Sequence, residues 1–191
     1  MLREELGSRG VLADNGSVKA TLEAINKMQV DGVIGQYAIG GAVGATLYLE
    51  PAATLDVDVF VTLPVVEGSS LLTLSPIYDY LRGHGGTVEH EHIVVGGWPI
   101  QFLPPANQLE REAITEAVEV TVEGVSTRVM TAEHLVAIAL KTGRAKDNIR
   151  ILHFIEQKAV KRCRLNEILE RHGLAKRWQE FERRYLEENL G

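Results

Sequence analysis

The chain has 191 residues, 45% of them apolar, a formal net charge of −6 and one cysteine, Cys163. The length suits one domain or a domain with a small appendage, and the apolar share supports a real core. A lone cysteine excludes an intrachain disulfide and a thiolate metal cluster. No run is apolar enough for a membrane helix and Met1-Leu2-Arg3-Glu4-Glu5 is unlike a signal peptide, so a soluble cytoplasmic protein with no membrane partner is expected.

The first pattern is helical. Val18, Leu22, Ile25 and Met28 lie along one stripe, Ser17 is placed to cap it, and Asp31-Gly32 ends it. Tyr37, Ala38 and Ile39 form a short strand that runs into a glycine turn, Gly40-Gly41. Residues 45–49 continue as a short helix. Adjacent glycines let a backbone approach a phosphate closely, and a helix start behind them favours an anion. An ordinary tight strand-to-helix turn would use the same residues. Residues 54–61, Thr-Leu-Asp-Val-Asp-Val-Phe-Val, form the next strand, closed by Pro64. Period two puts Asp56 and Asp58 on one face and Leu55, Val57 and Val59 on the other. Two crowded carboxylates repel unless a cation sits between them, and Mg²⁺ is the natural oxygen-liganded choice. A half-exposed strand with solvated acids fits the same pattern.

A helix is predicted over 70–82; Pro76 allows it to start later, with Ser75 as its cap. His84 falls in the glycine-rich loop 83–86, and His90 and His92 follow on one strand face. No complete zinc pattern accompanies them. Residues 93–95 and 98–103 make a hairpin about Gly96-Gly97. A short helix near 109–115 precedes two strands, 118–122 and 125–130. From Thr131 the chain turns helical. Thr131 caps a helix carrying Leu135, Ile138, Ala139 and Leu140, which Gly143 interrupts. Helices are expected over 145–160, with Ile149, Leu152, Ile155 and Ala159 at core spacing, and over 164–171 and 174–189. Charge follows this division. Residues 1–127 carry 6 basic and 17 acidic side chains, and residues 128–191 carry 14 and 9. The predicted organisation is an α/β core over 1–130 and a helical part over 131–191 packed on it.

The ordered set of strand, Gly40-Gly41, helix, and strand with Asp56 and Asp58 resembles the DNA polymerase β-like nucleotidyltransferase superfamily. The resemblance implies an α/β (α+β) fold, a small mixed sheet flanked by helices, with NTP and Mg²⁺ bound at its edge. It also implies transfer of a nucleoside monophosphate to a hydroxyl with release of pyrophosphate. Asp56 and Asp58 would hold metal, and Gly40 and Gly41 would cradle phosphates, with Thr54 beside them. A third acid is expected on the strand 98–103, where Gln101 stands instead. A neutral amide is a poor metal ligand. Either another group activates the hydroxyl, or nucleotide is bound without turnover.

Downstream, the segment from Lys141 through Arg144 to Asp147 resembles a motif of the AbiEii-type nucleotidyltransferase toxins. By that resemblance Lys141 contacts the triphosphate, Arg144 assists it, and Asp147 completes the site. Taken alone, the segment fits a polar inter-helix loop with Asp147 as a first-turn acid. Implied partners are an NTP, a tRNA, protein or small-molecule acceptor, and an antitoxin or a second copy. The basic stretch 158–162 suits RNA phosphates. The rival reading is a catalytically silent nucleotide-binding or protein-interaction module on the same fold.

Overall fold

A computed structural model describes residues 18–50, 56–64, 73–89 and 92–187, with Glu89 described in its backbone alone. Ser17, Thr54, Leu55, His90 and Glu91 lie outside the described residues. The chain begins with α1 (Lys19–Val30), whose Leu22, Ile25 and Met28 are buried on the stripe expected from their spacing. Gly32, at φ +73°, ends α1 in a glycine-dependent turn. After β1 (Tyr37–Ile39) comes α2 (Gly41–Ala45), which starts at the glycine pair itself, four residues earlier than the sequence pattern placed it. Then follow β2 (Val57–Val61) and α3 (Ser75–Gly83), in which Pro76 sits in the first turn and the cap position falls on Leu74 rather than on the expected Ser75. Next are β3 (Thr87–Glu89), β4 (His92–Val95) and β5 (Trp98–Leu103). The pair β4–β5 turns at Gly96 and Gly97, both in the left-handed region. The short helix α4 (Gln108–Thr115) precedes the hairpin β6 (Val118–Val122) and β7 (Val125–Val129).

Among the described residues the strands form one seven-stranded mixed sheet in the order β3-β4-β5-β2-β1-β7-β6. The pairs β2–β5 and β1–β7 are parallel, and the others are antiparallel. This mixed, helix-flanked sheet is the α/β architecture expected from the sequence. One sheet face carries Val57, Val59 and Val61 with Ile100 and Phe102, and packs on α1 and α3. The other carries Ala38 and Phe60, and packs on α4 and the C-terminal helices.

Those helices are α5 (Ala132–Thr142), α6 (Ala145–Glu156), α7 (Arg162–Arg171) and α8 (Ala175–Glu182), the last running into a π-helical turn, Arg183–Glu187. Thr131 caps α5 as expected, its Oγ1 accepting from His134 N. The core stripe expected for α6 holds at Leu152, Ile155 and Ala159, which pack partly buried against the core, and fails at Ile149. Ile149 is 56% exposed, and the buried positions are Asp147, Ile151 and Phe154. The helix also stops at Glu156 rather than near 160. Lys158 takes φ +53°, its N–H bonding to Ile155 O and that of Ala159 to Phe154 O. This is the helix-ending turn usually given to glycine.

Glu112 of α4 ties three helices together. Its carboxylate accepts from Arg171 Nε and Nη2 at 3.1 and 2.8 Å, and meets His172 Nε2 at 2.9 Å and His134 Nε2 at 3.3 Å. Burial is the main influence on His134 and holds its pKa below the usual histidine value, although Glu112 pulls the other way. The fold therefore favours the neutral ring. That stability is complete above the unfolded value of 6.5 and is lost as pH falls below it towards the folded value. Chemical denaturation between pH 7.5 and 5.5 should show stability declining below pH 6.5. The decline should be smaller in His134→Gln.

Candidate active site

The centre of the sheet gathers what the sequence left apart. Asp58 lies on β2 between two neighbours: β1 on one side leads into Gly40-Gly41, and β5 on the other carries Gln101. The parallel register pairs Asp58 directly with Gln101. Alternation puts both on the face that carries Phe60 and Leu103. Gln101 therefore stands directly beside Asp58 on the same sheet face. Asp56 precedes the strand by one residue and is half-buried.

The glycine pair is fitted against this strand. Gly40 N–H donates to Asp58 O at 2.9 Å, and a Cβ at Gly40 would sit 2.8 Å from the Phe60 ring. Gly41 has φ +57°, and a Cβ there would overlap the Asp58 carboxylate. Both constraints demand glycine. Gly41→Ala should cost about 1–3 kcal/mol of stability from backbone strain and push the Asp58 side chain aside. Thermal melts and magnesium binding should both register the change. A variant with parental values in both would show that neither the backbone nor Asp58 is constrained there.

Electrostatics mark Asp58 as the unrelieved charge. Burial first, then the Asp56 charge, push its pKa above the ordinary carboxylate range, against the pull of Arg150, Lys146 and Arg144. Two half-buried carboxylates that repel each other form a set that fits a hard divalent cation. Asp56 and Asp58 are placed where both could ligate such an ion.

The cations come from the start of α6. Asp147 is 1% exposed and does not act as a surface acid. It accepts from Arg144 Nε at 2.7 Å, Arg144 Nη2 at 3.2 Å and the Arg144 backbone N–H at 3.2 Å. Arg150 Nη1 stands 3.8 Å away. The buried carboxylate thus orients two guanidinium groups, whose charges reach Asp58. Lys141 is exposed on the last turn of α5. Its carbonyl accepts from Arg177 Nη1 at 2.8 Å, and no contact draws its side chain to Asp58. Arg150 and Lys146 were missed by the sequence reading. Their signal is the spacing of Lys146, Arg150 and His153, which share a helix face next to that of Asp147, Ile151 and Phe154.

That face borders a groove of about 160 Å³ between α2 and α6. It begins at Ala42, next to Gly41, and passes Lys146, Ile149 and Arg150 to Glu50 and His153. The histidines of the β3–β4 region gather no metal site among the described residues. His84 Nδ1 instead lies 2.8 Å from Tyr80 O, and its ring stacks on Tyr80.

Neither a protein-family model nor a curated protein sequence matches the chain. Solved structures do. An antigenic nucleotidyltransferase-like protein from Paracoccidioides brasiliensis aligns over 77% of each chain, with 14% identity and a TM-score of 0.53. The antibiotic-resistance factor ANT(2'')-Ia aligns over 89% of this chain and 98% of its own, again at 14% identity, with a TM-score of 0.50. The chain thus has a nucleotidyltransferase fold.

Proposed function

We propose that the protein is a metal-dependent nucleotidyltransferase that binds an NTP with Mg²⁺ and transfers a nucleoside monophosphate to a hydroxyl. The observation that carries this reading is the fit of Gly41 against Asp58, with arginines and a lysine of α6 facing that acid. A glycine backbone, paired acids and converging cations together suit a metal-bound triphosphate better than any one of them does alone.

Asp56 and Asp58 would bind Mg²⁺, which when bound neutralises phosphate charge and aligns the attacking and leaving oxygens. Gly40 and Gly41 set their backbone against Asp58, where phosphate oxygens would approach it. Arg144 and Arg150, held by Asp147, present forked donors to the triphosphate, and Lys146 adds a compact charge. Lys141, on the last turn of α5, would join only when nucleotide draws it in. Gln101 is placed to orient the acceptor hydroxyl by hydrogen bonding. The acceptor is an RNA end, a protein or a small molecule, and a role as the toxin component of a toxin–antitoxin pair in the cytoplasm belongs to the same reading.

Gln101 also supports a second reading, a silent nucleotide-binding module, because an amide cannot accept the hydroxyl proton as a carboxylate does. Incubation with each labelled NTP, Mg²⁺ and either tRNA or cell extract separates the two. Label transfer by the parent protein supports the enzyme. Nucleotide binding without transfer to any acceptor supports the silent module, and absence of nucleotide binding overturns both.

A further inference from the structure

We infer that the α2–α6 groove seats the base of the donor nucleotide and selects guanine through the Glu50 carboxylate. The inference rests on the nucleotide reading above and adds which base is bound and what reads it.

At about 160 Å³, the groove is below the roughly 300–1,000 Å³ of a site that encloses a whole small molecule. It has room for one part of a nucleotide. Its near end adjoins the phosphate position, since Ala42 follows Gly41 directly and Arg150 and Lys146 serve both the groove and Asp58. Its middle is apolar. Ala45 and Leu49 form one wall, and Ile149 projects from α6 to face them. An isoleucine 56% exposed amid cations is costly to leave in water. A flat ring laid on it would recover that surface, with the Arg150 guanidinium stacking alongside. Glu50 stands towards the far end of α6. Its backbone N–H donates to Gln157 Oε1 at 3.1 Å, at the residue that closes the helix. From Lys146 to His153 the helix axis runs about 10 Å, comparable with the span from phosphate to base edge in an extended nucleotide.

An ionised carboxylate only accepts hydrogen bonds. Guanine alone among the common bases presents two adjacent donors, N1–H and the N2 amino group, which match both carboxylate oxygens. Adenine and cytosine set a ring acceptor beside their amino donor. Uracil flanks its one donor with carbonyls. A matched charge-assisted pair of this kind discriminates by about 1–3 kcal/mol.

Calorimetric titration of the full chain with GTP, ATP, CTP and UTP in Mg²⁺ tests the assignment, with Glu50→Ala and Ile149→Ala as variants. Both positions are exposed on the surface, and thermal melts confirm that each variant is folded. GTP should bind at least about tenfold tighter than the other three. Glu50→Ala should remove that preference and leave ATP affinity near parental. Ile149→Ala should weaken all four alike. Equal affinity for the four nucleotides, preference for another base, or a GTP preference that survives Glu50→Ala overturns the inference and leaves nucleotide binding standing. Failure of the parent to bind any of the four overturns the nucleotide reading itself.

Discussion

Asp58→Asn should melt at a higher temperature than the parent protein in metal-free buffer, yet lose nucleotidyl transfer by about a hundred- to a thousandfold. The two effects share one cause. Burial and the neighbouring Asp56 raise the Asp58 pKa in the folded state. A raised carboxyl pKa contributes stability below the unfolded value and loses it as pH rises through the folded value, so at neutral pH the ionised group opposes folding. Asparagine keeps the shape without the charge. Scanning calorimetry with EDTA and with Mg²⁺ reads both arms. Mg²⁺ should raise the midpoint of the parent, because a ligand bound only by the native state stabilises it. It should leave the variant unmoved. If asparagine lowers the metal-free midpoint, Asp58 is serving the fold. If Mg²⁺ shifts both proteins equally, the metal sits elsewhere.

The opposite profile is expected of Glu112→Ala. Glu112 is 14% exposed and accepts from a forked arginine and two histidines, of which His134 is fully buried. Its truncation strands those donors at the junction of α4, α5 and α7. The cost should be about 2–4 kcal/mol, a fall in melting midpoint of roughly 5–15 °C for a chain of this size. Nucleotide affinity, measured below the transition, should stay parental, because the network lies apart from Asp58 and the α6 cations. A midpoint within a degree of the parent's would mean that the exposed Arg171 arm and water absorb the loss. A parallel fall in nucleotide affinity would mean that α5 transmits the damage to the site.

Much of this arrangement was legible in the residues, and the misses have definite reasons. Alternation found β2, the β4–β5 hairpin and the β6–β7 pair. Glycine and threonine signals found the end of α1 and the start of α5. The register that sets Gln101 beside Asp58 follows from strand order, which no local pattern encodes, although the position of the strand already suggested it. On α6 one core position, Ile149, was misread, and the depth of Asp147 was not legible, for a physical reason. Ile149 looked like core, and Asp147 stood open between a first-turn surface acid and a member of the site. Asp147 is buried because Arg144 and Arg150 satisfy it, and partner-dependent burial is invisible to hydrophobic spacing. With Ile149 outside the core, it lines the groove together with Lys146 and Arg150. The end of α6 was missed because a lysine fills the left-handed position where a glycine would have signalled the stop. The strictness of Gly41 was hidden as well, since the sequence shows a glycine but not the carboxylate packed against it.

The parallel pairing at the centre of the sheet sets when the site comes into being. Ile39 of β1 pairs with Val129 of β7, and Asp58 with Gln101, across long stretches of intervening chain. Such closures lose much chain entropy before contacts compensate, and they are slow steps in folding. The hairpins and the C-terminal helices are local and can form earlier. The glycine pair, the acids and the α6 cations therefore meet only when the last long-range strands close. During refolding, nucleotide binding should emerge with the global transition, and a half-folded chain would hold no metal at its centre.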